Sequence, residues 1–175
     1  MVMNIAEQEF AMKTETEFLR QIQKKFREAF ERMVKAIGQL DTHQIWMRPS
    51  SESNSVGIIV QHLSGNLNQW ICAGLGGSDF KRNRPEEFMD RQQITRDEIL
   101  KKVTDLGIAI EGVISRIPPD ALHDPRRIQE MDVTVMKALF RALTHLEFHE
   151  GQILYIAKLL LNEKYVGIWG PKATP

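Results

Sequence analysis

The sequence has a single cysteine and no excess of charge of either sign. Of its 175 residues, 23 are Lys or Arg and 23 are Asp or Glu, so the formal net charge is zero. A dominant basic surface is therefore excluded, and nucleic acid is not expected as a main partner. Because Cys72 has no second cysteine to pair with, it cannot form an intramolecular disulfide, which fits a reducing compartment.

Long apolar runs are also missing. No stretch approaches the roughly 18 apolar residues that span a bilayer, so no membrane partner is expected. The first twelve residues carry Glu7 and Glu9 and lack the basic and apolar regions of a signal peptide, so we expect a cytoplasmic protein. At 20.2 kDa, a single domain over residues 1–175 is expected, and it is large enough to bury a substantial core.

Helical periodicity is the main pattern that the sequence does contain. Apolar residues recur at steps of three or four in four long segments, and no segment alternates strictly between apolar and polar residues. The pattern predicts an all-α protein. The predicted helices cover approximately Thr14–Leu40, Ser55–Ile71, Thr95–Ile117 and Val133–Leu161.

The connections between these segments predict how the helices are arranged. The polar stretch Gly74–Ile94, of about 20 residues, is too long for a tight helix hairpin, whose loops run about 2 to 8 residues. It suits a crossover between helices two and three, which predicts a four-helix bundle with up-down-down-up topology. The stretch Asp120–Asp132 is expected to be a loop, and the tail Tyr165–Pro175 a surface strap or an oligomer contact.

Two histidines on the fourth predicted helix form a candidate metal-binding pair. His145 and His149 are four residues apart, so they share one face about one turn apart. Neutral imidazole is a common ligand of divalent transition metals. Ala138 and Ala142 precede the pair on the same face and leave room beside it, while Gln152, one turn later, is a candidate hydrogen-bonding partner for a ligand.

A third histidine lies on the second predicted helix. His62 stands among apolar residues with Asn66 on the same face, and a facing helix can supply a further ligand to a metal site in a bundle. Three imidazoles without a fourth protein ligand leave open positions, which is typical of a catalytic site. Glu147 lies about 200° around the helix from the histidines, so a zincin-type protease motif is absent. The alternative is that His62 is a core histidine bonded to a carbonyl.

Other titratable, nucleophilic and aromatic side chains are assigned no role in the candidate metal site. His43 and His123 are expected to be exposed, Glu150 to lie on the surface or at an interface, and Cys72 to pack near a helix end. The Lys81–Arg84 cluster is interpreted as a solvated loop, or alternatively as a group that holds an anionic substrate near the mouth of the site. The tryptophans are interpreted as packing anchors, or alternatively as residues that line a pocket, at Trp46, Trp70 and Trp169.

Three sequence strings resemble the DinB/YfiT-like superfamily. They are SVGIIVQHLSGNLNQW at residues 55–70, HLEFHEGQILYIAKLL at residues 145–160, and the late GIWGPKA, which is similar to a DinB-related branch of unknown function. The resemblance covers nearly the whole chain and implies an up-down-down-up four-helix bundle. It also implies a divalent metal, often nickel or zinc, bound by His62, His145 and His149.

The resemblance further suggests an activity. Characterised members of the superfamily include transferases and isomerases that depend on a low-molecular-weight thiol, and dimers are common among them. We therefore expect a metal-dependent thiol transferase or hydrolase that acts on a small molecule, assembled as a homodimer through outward apolar positions of two helices. The alternative is a non-catalytic metal-binding, small-molecule-binding or stress-associated protein. No organic cofactor is expected, and the sequence assigns no general base.

Overall fold

Four long helices form a bundle in the computed structural model, which describes residues 5–90 and 93–168. The predicted all-α bundle is confirmed, while the directions of the helices remain a prediction. The first helix begins earlier than predicted and the fourth begins slightly later. The α-helices are α1 (Ile5–Ile37), α2 (Thr42–Trp46), α3 (Val56–Leu67), α4 (Arg96–Ile114) and α5 (Val135–Leu161).

The helix α3 lies deepest in the bundle. Both α1 and α3 pack against α4 and α5, which places α1 and α3 at opposite corners in the described part of the chain. All but two of the residues in α3 are buried, including His62 and Asn66. A helix that is apolar on nearly every side belongs in the interior, so the few polar side chains of α3 are held inside the bundle.

Side-chain caps fix where the long helices begin. The Ser55 hydroxyl accepts a hydrogen bond from the Ile58 amide at 3.2 Å. Thr95 and Glu98 form a capping box at the start of α4. Such caps satisfy amides that a helix leaves without a partner in its first turn. They therefore set the register in which α3 presents His62.

The chain leaves α3 through a π-helical segment, Asn68–Ala73, that carries the buried Trp70. The segment ends at Gly74, and Gly77 soon after has a φ of 72°, a conformation that glycine adopts without strain. The long connection to α4 follows. It contains a 3-10 turn, Pro85–Phe88, that packs back against α3 and brings Glu87 into the interior.

The expected loop Asp120–Asp132 is wrong in its details. It contains a 3-10 turn, Pro119–His123, and then an antiparallel hairpin of β1 (Pro125–Ile128) and β2 (Met131–Thr134). The turn residues Gln129 and Glu130 have φ values of 48° and 61°. Hairpin turns of this kind usually carry Asn or Gly, so the residues at this turn do not indicate a hairpin.

Part of the expected tail strap is described. Tyr165 is buried with the core, and the Lys158 ammonium lies 5.7 Å from its ring centre. The Gln39 side-chain amide donates a hydrogen bond to the Val166 carbonyl and accepts one from the Val166 amide, so this stretch is held near the end of α1. Residues 169–175, including Trp169, lie outside the described residues. Among the helices that are described, none is both long enough and apolar enough to cross a membrane.

Candidate metal centre

Three imidazole rings from two helices converge on one point. His62 projects from α3, and His145 and His149 project from α5, so that one nitrogen of each lies within 4.8 Å of the others. The Nε2 atoms of His62 and His145 are 3.0 Å apart. With metal–nitrogen bonds of about 2.0–2.1 Å, two ligands of one tetrahedral ion lie roughly 3.3 Å apart. The spacing therefore fits a single shared ion.

Hydrogen bonds made by Nδ1 leave the Nε2 atoms of two rings without a proton. The Nδ1 atom of His62 lies 3.0 Å from a carboxylate oxygen of Glu87, so Nδ1 carries the proton and donates it. The Nδ1 atom of His149 donates to the Gln152 amide oxygen at 2.7 Å. Each Nε2 atom then keeps a lone pair for a metal. Partners of this kind typically orient the histidines that bind metals in proteins.

Glu87 is a buried part of this arrangement. Its carboxylate also accepts from Arg82, with Nη2 and Oε2 2.7 Å apart, and the Arg82 side chain is only 8% exposed. The arginine offsets the charge that would otherwise be costly to bury. A Cβ atom on Gly65 would lie 1.9 Å from Glu87 Oε1. The absence of a side chain at residue 65 therefore makes room for the carboxylate that orients His62.

The environment keeps the three imidazoles neutral. Burial, followed by the charges of neighbouring histidines and of Arg82 and Arg141, lowers the pKa of His145 to about 4. Burial is also the main cause that lowers the pKa of His62 and of His149. Neutral imidazole is the form that binds a metal ion, so protons compete little with a metal ion for these nitrogens at pH 7.

A cavity of about 410 Å³ opens beside His62 and His145. It provides space for a small molecule next to the point where the imidazoles converge. In the described part of the chain, no Asp or Glu lines it. Its other polar lining comes from α3, the long connection, the hairpin turn and α5, at Asn66, Arg82, Arg84, Gln129, Arg141 and Thr144.

Some of the remaining side chains named from the sequence lie at the site, and others lie away from it. Asn66 lines the cavity and Gln152 bonds His149, while His43 and His123 are exposed as expected. Cys72 is buried, and burial raises the pKa of its thiol, so it stays protonated.

The expectation for Glu150 is wrong. Glu150 is 4% exposed and pairs with Arg32 of α1, since its offset from His149 directs it to a neighbouring helix. In the Lys81–Arg84 cluster the other residues are exposed as expected, and only Arg82 departs from the expectation because it pairs with Glu87.

Comparison with known protein families adds an identity to this geometry. A family described as "Protein of unknown function (DUF1572)" matches residues 13–174. The chain belongs to the DUF1572 family. No curated protein matches it.

Solved structures with the same fold include two bacterial proteins. A DinB-like protein from Bacillus cereus ATCC 10987 is 13% identical with a TM-score of 0.65, over 79% of this chain and 90% of that one. A conserved protein from Enterococcus faecalis is 18% identical with a TM-score of 0.69, over 81% of this chain and 96% of that one. These structures confirm the expected DinB-like fold, and at these identities the likeness concerns the fold alone.

The DUF1572 site also contains residues that the sequence did not indicate. Glu87 lies in the long connection, where nothing in the local pattern shows that the chain turns back against α3. Arg82 belongs to the Lys81–Arg84 cluster, which the alternative interpretation placed near the site, but its pairing with Glu87 was not expected. The proximity of Gly65 to His62 was the available signal, because a glycine one turn after a candidate ligand leaves space beside that ligand. Arg141 lies on the exposed side of α5, and its place at the cavity depends on the hairpin and the connection.

Proposed function

We propose that this DUF1572 protein binds one divalent metal ion through His62, His145 and His149 and uses it in a reaction of a small molecule. Thiol transfer is the reaction that we favour, and hydrolysis is the second. The proposal depends on one observation, the convergence of three ring nitrogens of which two have their tautomer fixed by Glu87 and Gln152.

The residues around the cavity favour thiol transfer over hydrolysis. A bound divalent ion supplies a nucleophile at neutral pH, by lowering the pKa of a coordinated water or by deprotonating a coordinated thiol outright. Among the described residues, the cavity lining offers no carboxylate as a general base, and Glu87 is occupied by His62 and Arg82. A thiol that loses its proton on binding needs no such base. Since Cys72 is buried and protonated, that thiol comes from outside the chain.

Nickel or zinc is the proposed metal. Among first-row divalent ions, imidazole sites bind copper, nickel and zinc more tightly than iron or manganese, and the supply in the cell selects among them. Three nitrogen ligands also leave positions for substrate, as in catalytic zinc sites. We further propose that the protein works in the cytoplasm, because its single cysteine, Cys72, is free and a reducing compartment keeps thiols in that state.

Metal content tests the metal-binding proposal. Protein purified without a nickel column is expected to contain about one equivalent of metal by elemental analysis, because each chain has one set of three histidine ligands. His149→Ala is expected to lose it, while His43→Ala, which changes an exposed histidine outside the site, keeps it. Equal metal content in both variants would contradict the proposal.

Turnover tests whether the metal centre is catalytic. We expect metal-free protein to be inactive and metal addition to restore transfer of a low-molecular-weight thiol to an electrophile. Retention of metal without turnover of any thiol, ester or amide would instead support the alternative, a non-catalytic binding protein.

We also propose a homodimer formed through α5. Its outward face exposes a row of large apolar side chains, with Phe148 65%, Tyr155 69% and Leu159 55% exposed. Such a row in a water-exposed helix marks an interaction surface. Phe148 also lines the cavity and makes an edge-to-face contact with His149, so the second subunit would lie beside the metal centre.

A further inference from the structure

Three arginines surround the cavity beside the histidines. Arg82 and Arg84 come from the long connection and Arg141 comes from α5, so separate segments bring positive charge to one space. Arg82 is neutralised by Glu87. Within residues 5–90 and 93–168, neither Arg84 nor Arg141 forms an ion pair. Their guanidinium groups lie against aromatic rings, 6.0 Å from Phe88 and 4.7 Å from Trp70 respectively.

The charge balance of this space is strongly positive. The described lining contains no carboxylate, and Glu87 behind His62 offsets only Arg82. A divalent ion on three neutral imidazoles would add two further positive charges. Like charges in a partly desolvated cavity repel one another, and an anion that enters it relieves this repulsion.

We propose that the ligand of this cavity is a small anion whose carboxylate or phosphate group binds Arg84 and Arg141 while another of its atoms reaches the three-histidine centre. The planar guanidinium suits both anions, because its paired N–H groups match two oxygen atoms. The neighbouring amides and hydroxyl of Asn66, Gln129 and Thr144 supply further polar contacts. This inference rests on the proposed function and narrows its substrate to an anionic one.

A pair of thiols that differ in one carboxylate tests the inference. Zinc-loaded protein is titrated with 3-mercaptopropionate and with 2-mercaptoethanol, and binding is measured by calorimetry. One charge-assisted hydrogen-bonded contact corresponds to about tenfold in affinity, so the carboxylate-bearing thiol is expected to bind at least tenfold more tightly. Arg84→Gln and Arg141→Gln should each reduce that preference. Arg116→Gln, an exposed arginine outside the cavity, is the matched control and should preserve it.

Competition by propionate and by inorganic phosphate identifies the preferred anionic group. Stronger competition by either anion, lost in the two arginine variants, supports the site. Equal affinity for the two thiols, or a preference that survives both substitutions, overturns the inference. Phosphate titration of metal-free protein separates this failure from that of the proposed function, because arginine-dependent binding there does not require a metal.

Discussion

Gly65→Ala is the substitution that tests most sharply how the site is built. The new Cβ atom would lie 1.9 Å from Glu87 Oε1 and 2.5 Å from Glu87 Cδ, far inside van der Waals contact. A flexible carboxylate could move aside cheaply at a surface. Here Glu87 is buried and held by His62 and Arg82, so it has to give up those bonds.

Two measurable losses are expected from Gly65→Ala. His62 loses the acceptor that fixes its tautomer and ring orientation, and loss of such a partner lowers metal affinity by about 10- to 100-fold. Disrupting the buried pair costs about 3–5 kcal/mol, while alanine in a helix recovers about 1 kcal/mol. The free energy of unfolding of metal-free protein should therefore fall by roughly 2–4 kcal/mol.

Metal affinity is measured by competition with a chromophoric chelator, and stability by urea unfolding. Gly151→Ala is the matched control, because it lies between His149 and Gln152 and nothing stands within 4 Å of its Cβ atom. That variant should bind metal as the wild type does and gain up to about 1 kcal/mol of stability. Glu87→Gln keeps the volume of the side chain and tests the same contact if Gly65→Ala does not fold. Wild-type metal affinity in both Gly65→Ala and Glu87→Gln would refute the reasoning.

Three further predictions concern stability, pH and assembly. Glu150→Ala removes the main partner of Arg32 and should lower the free energy of unfolding in urea by about 3 kcal/mol, whereas the exposed Glu31→Ala should change it by less than about 0.5 kcal/mol; equal effects would contradict the pairing. The folded-state pKa of His145 is about 4, below its ordinary 6.5. Between these values the unfolded chain binds more protons, so metal-free protein should lose stability from pH 7 to pH 5, and less so in His145→Gln; stability independent of pH would refute this. Sedimentation should give twice the single-chain mass for the wild type and a shift toward the monomer for Tyr155→Glu, while a wild type that sediments only as a single chain at micromolar concentration would exclude the dimer.

The helices and the ligand faces could be predicted because both depend on local periodicity. An α-helix has about 3.6 residues per turn, so the positions of His145, His149 and Gln152 on one face follow from their spacing. The burial of His62 follows from the apolar residues that surround it in α3. The meeting of the two helices was an expectation from bundle architecture and from the resemblance, and the structure brings the three rings together.

The rest of the site depends on contacts between segments far apart in sequence. Glu87 is 25 residues from His62, and Arg32 is 118 residues from Glu150, so no periodic pattern pairs them. The expectation that Glu150 lies on the surface or at an interface was wrong because α1 covers that side of α5. The hairpin was missed because its positive-φ turn uses Gln129 and Glu130 rather than glycine or asparagine.

X-ray absorption spectroscopy at the metal edge of the reconstituted protein tests directly whether three histidines bind one metal ion. We expect one metal per chain with three imidazole nitrogens at about 2.0–2.1 Å for zinc, and the loss of that signal in His149→Ala. A metal surrounded only by oxygen, or by fewer than three imidazoles, would contradict binding by the three histidines.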